Sequence, residues 1–274
     1  MAVPLTDIEP LRPVISRRPF GILSDIDGTI SPIAARPEEA FVPGEICRLL
    51  GELSARGVFI ALVTWRPLEE ARRRVRLDGI AYAGNHGLEL WVDGRRETAP
   101  GIGEYVQRAR AALADLSQLR LPGVWVEDKG PVIGVHYRQS PEPEAARRTI
   151  LTAIEASAAA KAFRIHEGKK IVELRPRLVG VDKGSAACAL AQRFRLQGVL
   201  CLGDDTTDAD MFRAVRGLCG PFDSAQGRLR GPVGACIAVD GEEASPPLVL
   251  EAADYVVQGV EGVEWLLGEV VTAI

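Results

Sequence analysis

The sequence lacks several features that would assign it at once to a common class of protein. It has 33 Lys and Arg against 37 Asp and Glu, a balance that gives no broad attraction to nucleic acid or to an anionic membrane. It contains no GxGxxG turn and no GxxxxGK[ST] loop, the phosphate-binding signatures of common nucleotide-binding folds. No apolar run approaches the ~20 residues needed to cross a bilayer. We therefore expect neither nucleic acid nor a membrane as a partner.

Residues that hold soft metals or form disulfides are also scarce. The five cysteines form no CxxC pair, and we expect them to be reduced thiols, as in cytosolic proteins. His86, His136 and His166 lack the spacing of metal ligands, which disfavours a zinc site. The N-terminus has acids and prolines where a signal peptide needs an apolar core. We expect a cytoplasmic monomer.

The 274 residues do show a regular alternation of apolar strands and amphipathic helices. Near-continuous apolar strands such as FGILS and VFIALVT, separated by helices, indicate a parallel sheet covered on both faces. The alternation changes to a strand-and-helix pattern typical of an α+β lobe and then resumes at Asp182. The expected fold is α/β, a parallel-sheet Rossmann-like hydrolase core with an inserted α+β cap domain. We place the core at residues 1–100 and 181–274 and the cap at 101–180.

Polar residues cluster where the predicted core strands end. Asp25 and Asp27 follow the strand FGILS, Thr64 follows VFIALV, and Lys183 opens the helix after the insertion. The stretch GDDTTDAD after the strand VLCL supplies Asp204, Asp205 and Asp208. Because ligands of open parallel α/β sheets bind at the carboxyl ends of the strands, we expect these side chains to meet at one edge.

This combination of charges predicts phosphate chemistry with a divalent cation. Crowding Asp25, Asp27 and Asp204 together is costly unless a cation lies between them, and carboxylate oxygens without thiolate or imidazole partners suit Mg²⁺. Lys183 and Thr64 add a fixed positive charge and a hydroxyl donor that suit a phosphate. The set is typical of phosphoryl transfer through an aspartyl-phosphate.

The motifs resemble those of a known superfamily. DIDGT, VT, DKG and GDDTTDADMF are similar to the four motifs of the haloacid dehalogenase-like superfamily. The intervening stretches YAGNHGLEL, VEDKGPVIGVHYR, EGKKIVELRP and VDKGSA resemble trehalose-6-phosphate phosphatases. The resemblance covers almost the whole chain from about Phe20, and it implies a Mg²⁺-dependent phosphatase acting on trehalose 6-phosphate.

The resemblance also implies the roles of the acidic residues. Asp25 matches the nucleophile, and Asp27 matches the general acid and base that protonates the leaving sugar oxygen and then activates water. Mg²⁺ would be held by Asp25, by the main-chain carbonyl of Asp27 and by Asp204. Both aspartates of DIDGT would then point at one phosphorus centre.

The remaining core motifs are implied to bind and orient. Thr64 and Lys183 would bind the transferring phosphoryl oxygens and stabilise their charge. Asp205 and Asp208 would lie behind the metal ligands, with Asp208 orienting Lys183 or a metal-bound water.

Further residues are implied to contact the sugar phosphate, and several of them lie in a cap that closes over the core. The set consists of Arg66, Asn85, His86, Glu127, Lys129, Arg138, Lys169 and Glu173. Charged donors and acceptors suit a polyol, because a site that pairs with hydroxyls strongly rejects analogues that lack them.

The sequence departs from this family at a few positions and leaves other functions open. Thr64-Trp65-Arg66 stands where the family has Ser-Gly-Arg, Ser24 precedes the nucleophile, and the loop at 219–232 is long. We expect Trp65 either to pack in the core or to stack on a sugar.

The alternative functions are a phosphatase for sucrose phosphate, mannosyl-phosphoglycerate or glucosylglycerol phosphate, a phosphosugar mutase, and a sensor that binds a sugar phosphate without turnover.

Overall fold

The computed structural model describes residues 1–34, 39–168, 170–219, 231–241 and 245–274. The chain divides into two compact units. The core unit comprises Met1–Glu97 and Val181–Ile274, and the inserted unit comprises Thr98–Gly180. Lys169 and most of the loop expected at 219–232, residues 220–230, lie outside the described residues.

The core unit is built on a mostly parallel sheet. Its strands are β1 (Val3–Pro4), β2 (Phe20–Ser24), β3 (Phe59–Val63), β4 (Ala81–Gly84), β5 (Glu89–Val92), β6 (Arg95–Thr98), β11 (Gly198–Gly203), β12 (Val233–Asp240) and β13 (Tyr255–Gln258). They lie in the order β1-β13-β12-β11-β2-β3-β4-β5-β6. Pairing is parallel from β1 through β4, and β5 joins antiparallel to β4. The predicted α/β class with a largely parallel sheet is confirmed.

Helices of the core unit pack on both faces of this sheet. They are α1 (Arg12–Ile15), α2 (Gly44–Ala55), α3 (Leu68–Val75), α6 (Lys183–Arg193), α7 (Thr206–Leu218), α8 (Pro247–Ala252) and α9 (Gly259–Ala273). Alternate strand residues separate into two buried clusters: Ile22 and Leu202 pack with α2 and α9, whereas Leu23 and Cys201 pack with α6 and α7. Burial on both faces explains why the strands read as continuous apolar runs. None of the described helices is both long and apolar enough to span a membrane.

The hairpin predicted at Asp93-Gly94 is present between β5 and β6. Asp93 and Gly94 both have positive φ, 52° and 74°, as a two-residue type I′ turn requires. The short elements β1 and α8 were not predicted, because two to six residues are too few for a periodic pattern.

The inserted unit has its own sheet and its own hydrophobic core. Its elements are α4 (Ile102–Leu116), β7 (Trp125–Asp128), β8 (Ile133–His136), α5 (Pro143–Ala156), β9 (Phe163–Gly168) and β10 (Ile171–Pro176). The strands pair antiparallel in the order β7-β8-β10-β9. One face of the sheet, with Val135 and Val172, is buried against α4 and α5. The opposite face carries polar side chains.

Candidate active site

Two acidic motifs meet at the carboxyl ends of the two central strands. β2 and β11 pair in parallel with Ser24 opposite Leu202, so that Asp25 and Asp204 leave the sheet at the same edge. The Asp25 N–H donates to the carbonyl of Leu202 at 3.0 Å, which fixes the backbone at this crossing. The strand pairing therefore brings together residues that are far apart in sequence.

Asp25 is buried beside a lysine. Its side chain is 2% exposed, and Oδ2 lies 2.9 Å from the ammonium of Lys183. The other oxygen, Oδ1, is buried and has no hydrogen-bond partner among the described residues. Burial raises the pKa of Asp25 well above its ordinary value, the Lys183 ammonium opposes the shift, and neighbouring carboxylates add to it. An ionised nucleophile here needs further positive charge.

Asp208 holds Lys183 and the turn that carries Asp204. Asp208 Oδ1 accepts from Lys183 Nζ at 2.9 Å, and Oδ2 accepts from the backbone N–H groups of Asp204 and Asp205 at 3.1 and 3.0 Å. Asp205 caps α7 by accepting from the N–H of Thr206 at 2.7 Å. Burial disfavours the Lys183 ammonium, but Asp208 and Asp25 outweigh it and raise the pKa of Lys183. Asp208 is placed where it orients the lysine, and Asp205 is a helix cap.

The turn after Asp27 fits closely around Asp204. Gly28 has a φ of +83°, and a Cβ built on it would lie 2.2 Å from Asp204 Oδ2. The hydroxyl of Thr29 donates to Asp204 Oδ1 at 3.4 Å. Only a glycine leaves room for this carboxylate and adopts this backbone without strain.

The residues present fit a hard divalent cation. Carboxylate oxygens of Asp25, Asp204 and Asp208 lie within 4.8 Å of one another. This all-oxygen donor set is the type that Mg²⁺ prefers. The Oδ1 atom of Asp25 receives no hydrogen bond from the part of the chain that the structure describes, so it is available to a cation.

Thr64 directly follows β3 and belongs to a loop that is held in place by hydrogen bonds. Its side chain is buried, its N–H donates to Ala83 at 2.8 Å, and its hydroxyl accepts from the N–H of Arg66 at 3.2 Å. The half-buried ring of Trp65 lies under the guanidinium of Arg66, 4.8 Å from the ring centroid. Trp65 thus stacks on a neighbouring side chain within its own loop.

Asp27 and Arg66 form an ion pair that the sequence did not reveal. Arg66 Nε and Nη2 donate to the two carboxylate oxygens of Asp27 at 2.7 and 2.5 Å. Arg66 Nη1 also donates to Glu70. Arg66 is 1% exposed, and its guanidinium group binds both Asp27 and Glu70 in this structure. Glu70 was missed, although its position four residues after Arg66 on α3 is a detectable pairing signal.

Asn85 and His86 form a tight turn that fastens the Thr64 loop. Both have positive φ, 48° and 59°; the N–H of Asn85 donates to Arg66 at 2.7 Å and that of His86 to Thr64 at 2.9 Å. The Asn85 side chain donates to Glu89 at 2.7 Å. These contacts give Asn85 a supporting position behind the loop.

In the inserted unit, the polar face of the sheet brings together residues from all four strands. By pairing register this face carries Trp125, Glu127, Gly134, His136, His166, Ile171, Glu173 and Arg175. Lys129 Nζ lies 2.6 Å from Glu173 and 3.7 Å from Glu127. Arg175 Nε donates to the other oxygen of Glu173 at 2.9 Å. Three residues of the expected sugar-binding set, Glu127, Lys129 and Glu173, are therefore brought together.

His136 adds a contact that the sequence did not reveal. Its Nε2 lies 2.6 Å from Glu127 Oε2, and its ring stacks on Trp125 with centroids 4.6 Å apart. Burial alone would raise the pKa of Glu127, but His136 and Lys129 outweigh it and lower that pKa. The half-buried Arg138 lies in the turn after β8, outside the strand that carries His136.

Comparison with known proteins identifies relatives over most of the chain. The sequence model of the trehalose-phosphatase family matches residues 23–225. The chain is 34% identical over 211 residues to the trehalose-phosphate phosphatase of Mycobacterium avium, covering 72% of this chain and 51% of that protein. It is 32% identical over 210 residues to that of Mycobacterium tuberculosis, covering 74% and 52%. An uncharacterised glycosyl hydrolase of Mycobacterium tuberculosis is 34% identical over 216 residues, 75% of this chain and 16% of that protein.

Solved structures share the fold. The C-terminal domain of the trehalose-6-phosphate phosphatase of C. albicans superposes with a TM-score of 0.80 at 20% identity, covering 100% of both chains. A trehalose-6-phosphate phosphatase related protein gives 0.71 at 23% identity, covering 92% of this chain and 97% of the other. A sugar phosphatase of haloacid dehalogenase subclass IIB gives 0.54 at 16% identity, covering 90% and 97%. These matches confirm the haloacid dehalogenase-like fold.

The resemblance noted in the sequence motifs is thus confirmed by the family match. The chain spans about half the length of the trehalose-phosphate phosphatases that it matches, 51% of one and 52% of another. With the family model covering residues 23–225, the chain belongs to the trehalose-phosphatase family.

Proposed function

We propose that this chain is a Mg²⁺-dependent phosphatase that hydrolyses trehalose 6-phosphate to trehalose and phosphate through an aspartyl-phosphate. The observation that carries the proposal is Asp25, buried with one oxygen held by Lys183 and the other unpaired. An unpaired buried oxygen is costly for a merely structural aspartate, but a nucleophile needs a free lone pair. Membership of the family favours this substrate over the other sugar phosphates.

The first step transfers the phosphoryl group to the protein. An oxygen of Asp25 forms a bond to phosphorus while the bond from phosphorus to the sugar oxygen breaks, and that oxygen takes a proton from the Asp27 carboxyl group. Thr64 and Lys183 donate to the phosphoryl oxygens and stabilise their charge.

The second step releases phosphate. A water oxygen bonds to phosphorus, the bond between phosphorus and Asp25 breaks, and Asp27 takes the proton of the water. Asp27 thereby recovers the proton that it gave to the sugar, and the cycle balances.

The cation would be held by the carboxylates of Asp25 and Asp204 and the main-chain carbonyl of Asp27. When bound it would neutralise negative charge at the phosphoryl oxygens and between the carboxylates. Asp208 would keep Lys183 and the Asp204 turn in position through the bonds described above.

The charged face of the inserted unit is proposed to recognise the sugar. Glu127, Lys129 and Glu173 present donors and acceptors in fixed positions, because each is paired with a neighbour. A substrate that supplies matching hydroxyls gains affinity, whereas one that lacks them forgoes these hydrogen bonds.

The test is release of inorganic phosphate from a panel of phosphate esters. The panel contains trehalose 6-phosphate, sucrose 6-phosphate, glucose 6-phosphate, mannosyl-phosphoglycerate and glucosylglycerol phosphate, each with Mg²⁺ and with excess chelator. We expect trehalose 6-phosphate to be hydrolysed with the highest kcat/KM and chelator to abolish turnover. Preference for another ester would overturn the substrate assignment, and binding of trehalose 6-phosphate without release of phosphate would make the protein a sensor.

A further inference from the structure

A line of alternating charges leads away from the carboxylate expected to act as acid and base. Asp27 is bound by Arg66, Arg66 by Glu70, and Glu70 by Arg74 through Nη2 at 2.8 Å. Arg74 in turn donates to the carbonyl of Ala40. The side chains of these four charged residues are between 1% and 20% exposed, so each one is held by its partners rather than by water.

The geometry of the first pair is specific. Two parallel N–H groups of Arg66 meet both oxygens of Asp27, an arrangement that fixes the plane of a carboxylate as well as its distance. A lysine at this position would supply the charge but not the plane. The bidentate pair therefore determines where the remaining lone pairs of Asp27 point.

Arg66 is itself held from three directions. Its third donor group is occupied by Glu70, its N–H donates to the hydroxyl of Thr64, and its carbonyl accepts from the N–H of Asn85 at 2.7 Å. The guanidinium also stacks on Trp65. A residue fixed in this way is suited to placing another group within a fraction of an ångström, which acid and base catalysis requires.

Resting on the proposed function, we propose that Arg66, backed by Glu70, is a positioning residue for Asp27 rather than a ligand of the sugar phosphate. It places the Asp27 carboxyl group for both proton transfers, first to the leaving sugar oxygen and then from the attacking water. Removing it slows both transfers while leaving Asp25, Thr64 and Lys183 in place.

An aryl phosphate separates the two transfers. The 4-nitrophenolate leaving group of 4-nitrophenyl phosphate needs no proton, so its departure does not depend on Asp27. Hydrolysis of the aspartyl-phosphate still needs Asp27 as the base. Loss of correct positioning thus makes the second step rate-limiting and allows the phosphorylated protein to accumulate.

The experiment is rapid-quench kinetics with 4-nitrophenyl phosphate on Arg66→Gln, Arg66→Lys and Glu70→Gln. We expect Arg66→Gln to release the first equivalent of nitrophenolate at about the wild-type rate and then to turn over about tenfold to a hundredfold more slowly, since one acid or base contributes about that much or more. Arg66→Lys and Glu70→Gln should show smaller bursts of the same kind. The phosphorylated protein should be visible by intact mass in proportion to the burst.

Arg216→Lys is the matched control, because Arg216 pairs with Asp254 at 2.5 Å away from the acidic motifs of the core unit. It should show the wild-type time course. A first turnover and a steady state that fall equally in Arg66→Gln, with no burst, would overturn the proposal, and so would a raised KM with an unchanged kcat, which is the signature of a substrate ligand.

Two further outcomes are distinguishable. If Arg66→Gln fails to fold, Arg66→Lys decides, because it keeps a positive charge but cannot form the bidentate pair; absence of a burst there overturns the proposal. If the wild type releases no phosphate from any ester, the proposed function is wrong. If the wild type turns over but the variants show no burst, only the proposed role of Arg66 is wrong.

Discussion

At the level of single residues, Asp25 combines a proposed reactive role with a position that lowers the stability of the fold. It is buried, close to the carboxylates of Asp204 and Asp208, and within the described ranges it is Lys183 that opposes the repulsion with a direct contact. Buried like charges destabilise a fold unless a counter-charge is bound. Burial beside these carboxylates therefore gives Asp25 a cost in stability that a bound cation would offset, and Asp25 is also the proposed nucleophile.

We predict that Asp25→Asn abolishes turnover and removes the stabilising effect of Mg²⁺. Asn has a similar shape but is a poor nucleophile, so activity should fall by several orders of magnitude, to the background of the assay. In excess chelator the variant should unfold at the same temperature as the wild type or higher, because one of the crowded charges is gone. Phosphate release and thermal unfolding with and without Mg²⁺ measure both effects. Activity within tenfold of wild type would reject Asp25 as the nucleophile.

We predict that Glu127 makes the stability of the inserted unit depend on acid pH. Its pKa in the folded protein lies below the ordinary value of 4.5 because His136 and Lys129 outweigh burial. The carboxylate therefore stabilises the fold fully above pH 4.5, and this stabilisation is lost as the pH falls through the lower folded-state value. Denaturant unfolding between about pH 2 and pH 7, a range that includes both the ordinary and the lowered value, should give a shallower dependence for Glu127→Gln than for the wild type. Parallel curves would show that the pair contributes nothing.

At the level of elements, the turn after β2 is shaped by the carboxylate that it encloses. Gly28 and Gly57 share a φ of +83°, but only at Gly28 would a Cβ meet Asp204; nothing lies within 4 Å of a Cβ at Gly57. A substitution at Gly57 would therefore report the strain of the backbone conformation alone. A substitution at Gly28 would add a steric collision with Asp204.

We predict that Gly28→Ala and Gly57→Ala both lower the free energy of unfolding by about 1–3 kcal/mol, the usual cost of an unfavourable backbone conformation. Only Gly28→Ala should also lose most of the stabilisation by Mg²⁺, because its methyl group displaces Asp204. Unfolding at increasing Mg²⁺ concentration distinguishes the two variants. An unchanged Mg²⁺ response in Gly28→Ala would show that Asp204 is not a ligand.

The polar face of the inserted sheet leads to a prediction about selectivity. Lys129→Ala and Glu173→Ala should lower kcat/KM for trehalose 6-phosphate by about tenfold to a hundredfold or more, since each removes a charged group proposed to pair with sugar hydroxyls. Hydrolysis of 4-nitrophenyl phosphate, which has no sugar ring, should change by less than about threefold. The exposed Arg148 on α5 provides the control variant Arg148→Ala. Equal losses on both substrates would mean that these residues support the fold or the chemistry instead.

The sequence predicted strand ends better than it predicted side-chain pairing. Asp25 and Asp204 follow apolar runs whose length and order determine the sheet edge, so the proximity of their carboxylates was readable. The bidentate contact between Arg66 and Asp27 spans 39 positions and depends on side-chain conformations that no local pattern records. The stacking of His136 on Trp125 depends on strand register, and register is set by the packed face of the sheet.

At the level of the whole molecule, the two units have separate hydrophobic cores. The clusters on both faces of the core sheet contain no residue between Thr98 and Gly180, and the third cluster lies wholly within that range. Each unit therefore has a hydrophobic core of its own, which is a requirement for a domain that folds independently.

We predict that the core unit folds when residues 98–180 are replaced by a short Gly/Ser linker. The shortened chain should unfold cooperatively and bind Mg²⁺, and it should hydrolyse 4-nitrophenyl phosphate slowly with no preference for trehalose 6-phosphate. Circular dichroism, thermal unfolding with Mg²⁺ and phosphate release measure these properties, and Asp25→Asn in the shortened chain should remove the residual activity. A shortened chain that is unfolded would show that the core depends on the insertion.

The chain leaves the core unit once, after Glu97, and re-enters it once, before Val181. Under the proposed function, the residues that carry out the reaction and the surface that recognises the sugar are therefore encoded by separate stretches of the gene. Recombination at two points would replace the recognition surface in a single event while leaving the strand-end aspartates untouched. Under the proposed function, exchange of this one inserted segment would give descendants that act on different substrates by the same reaction.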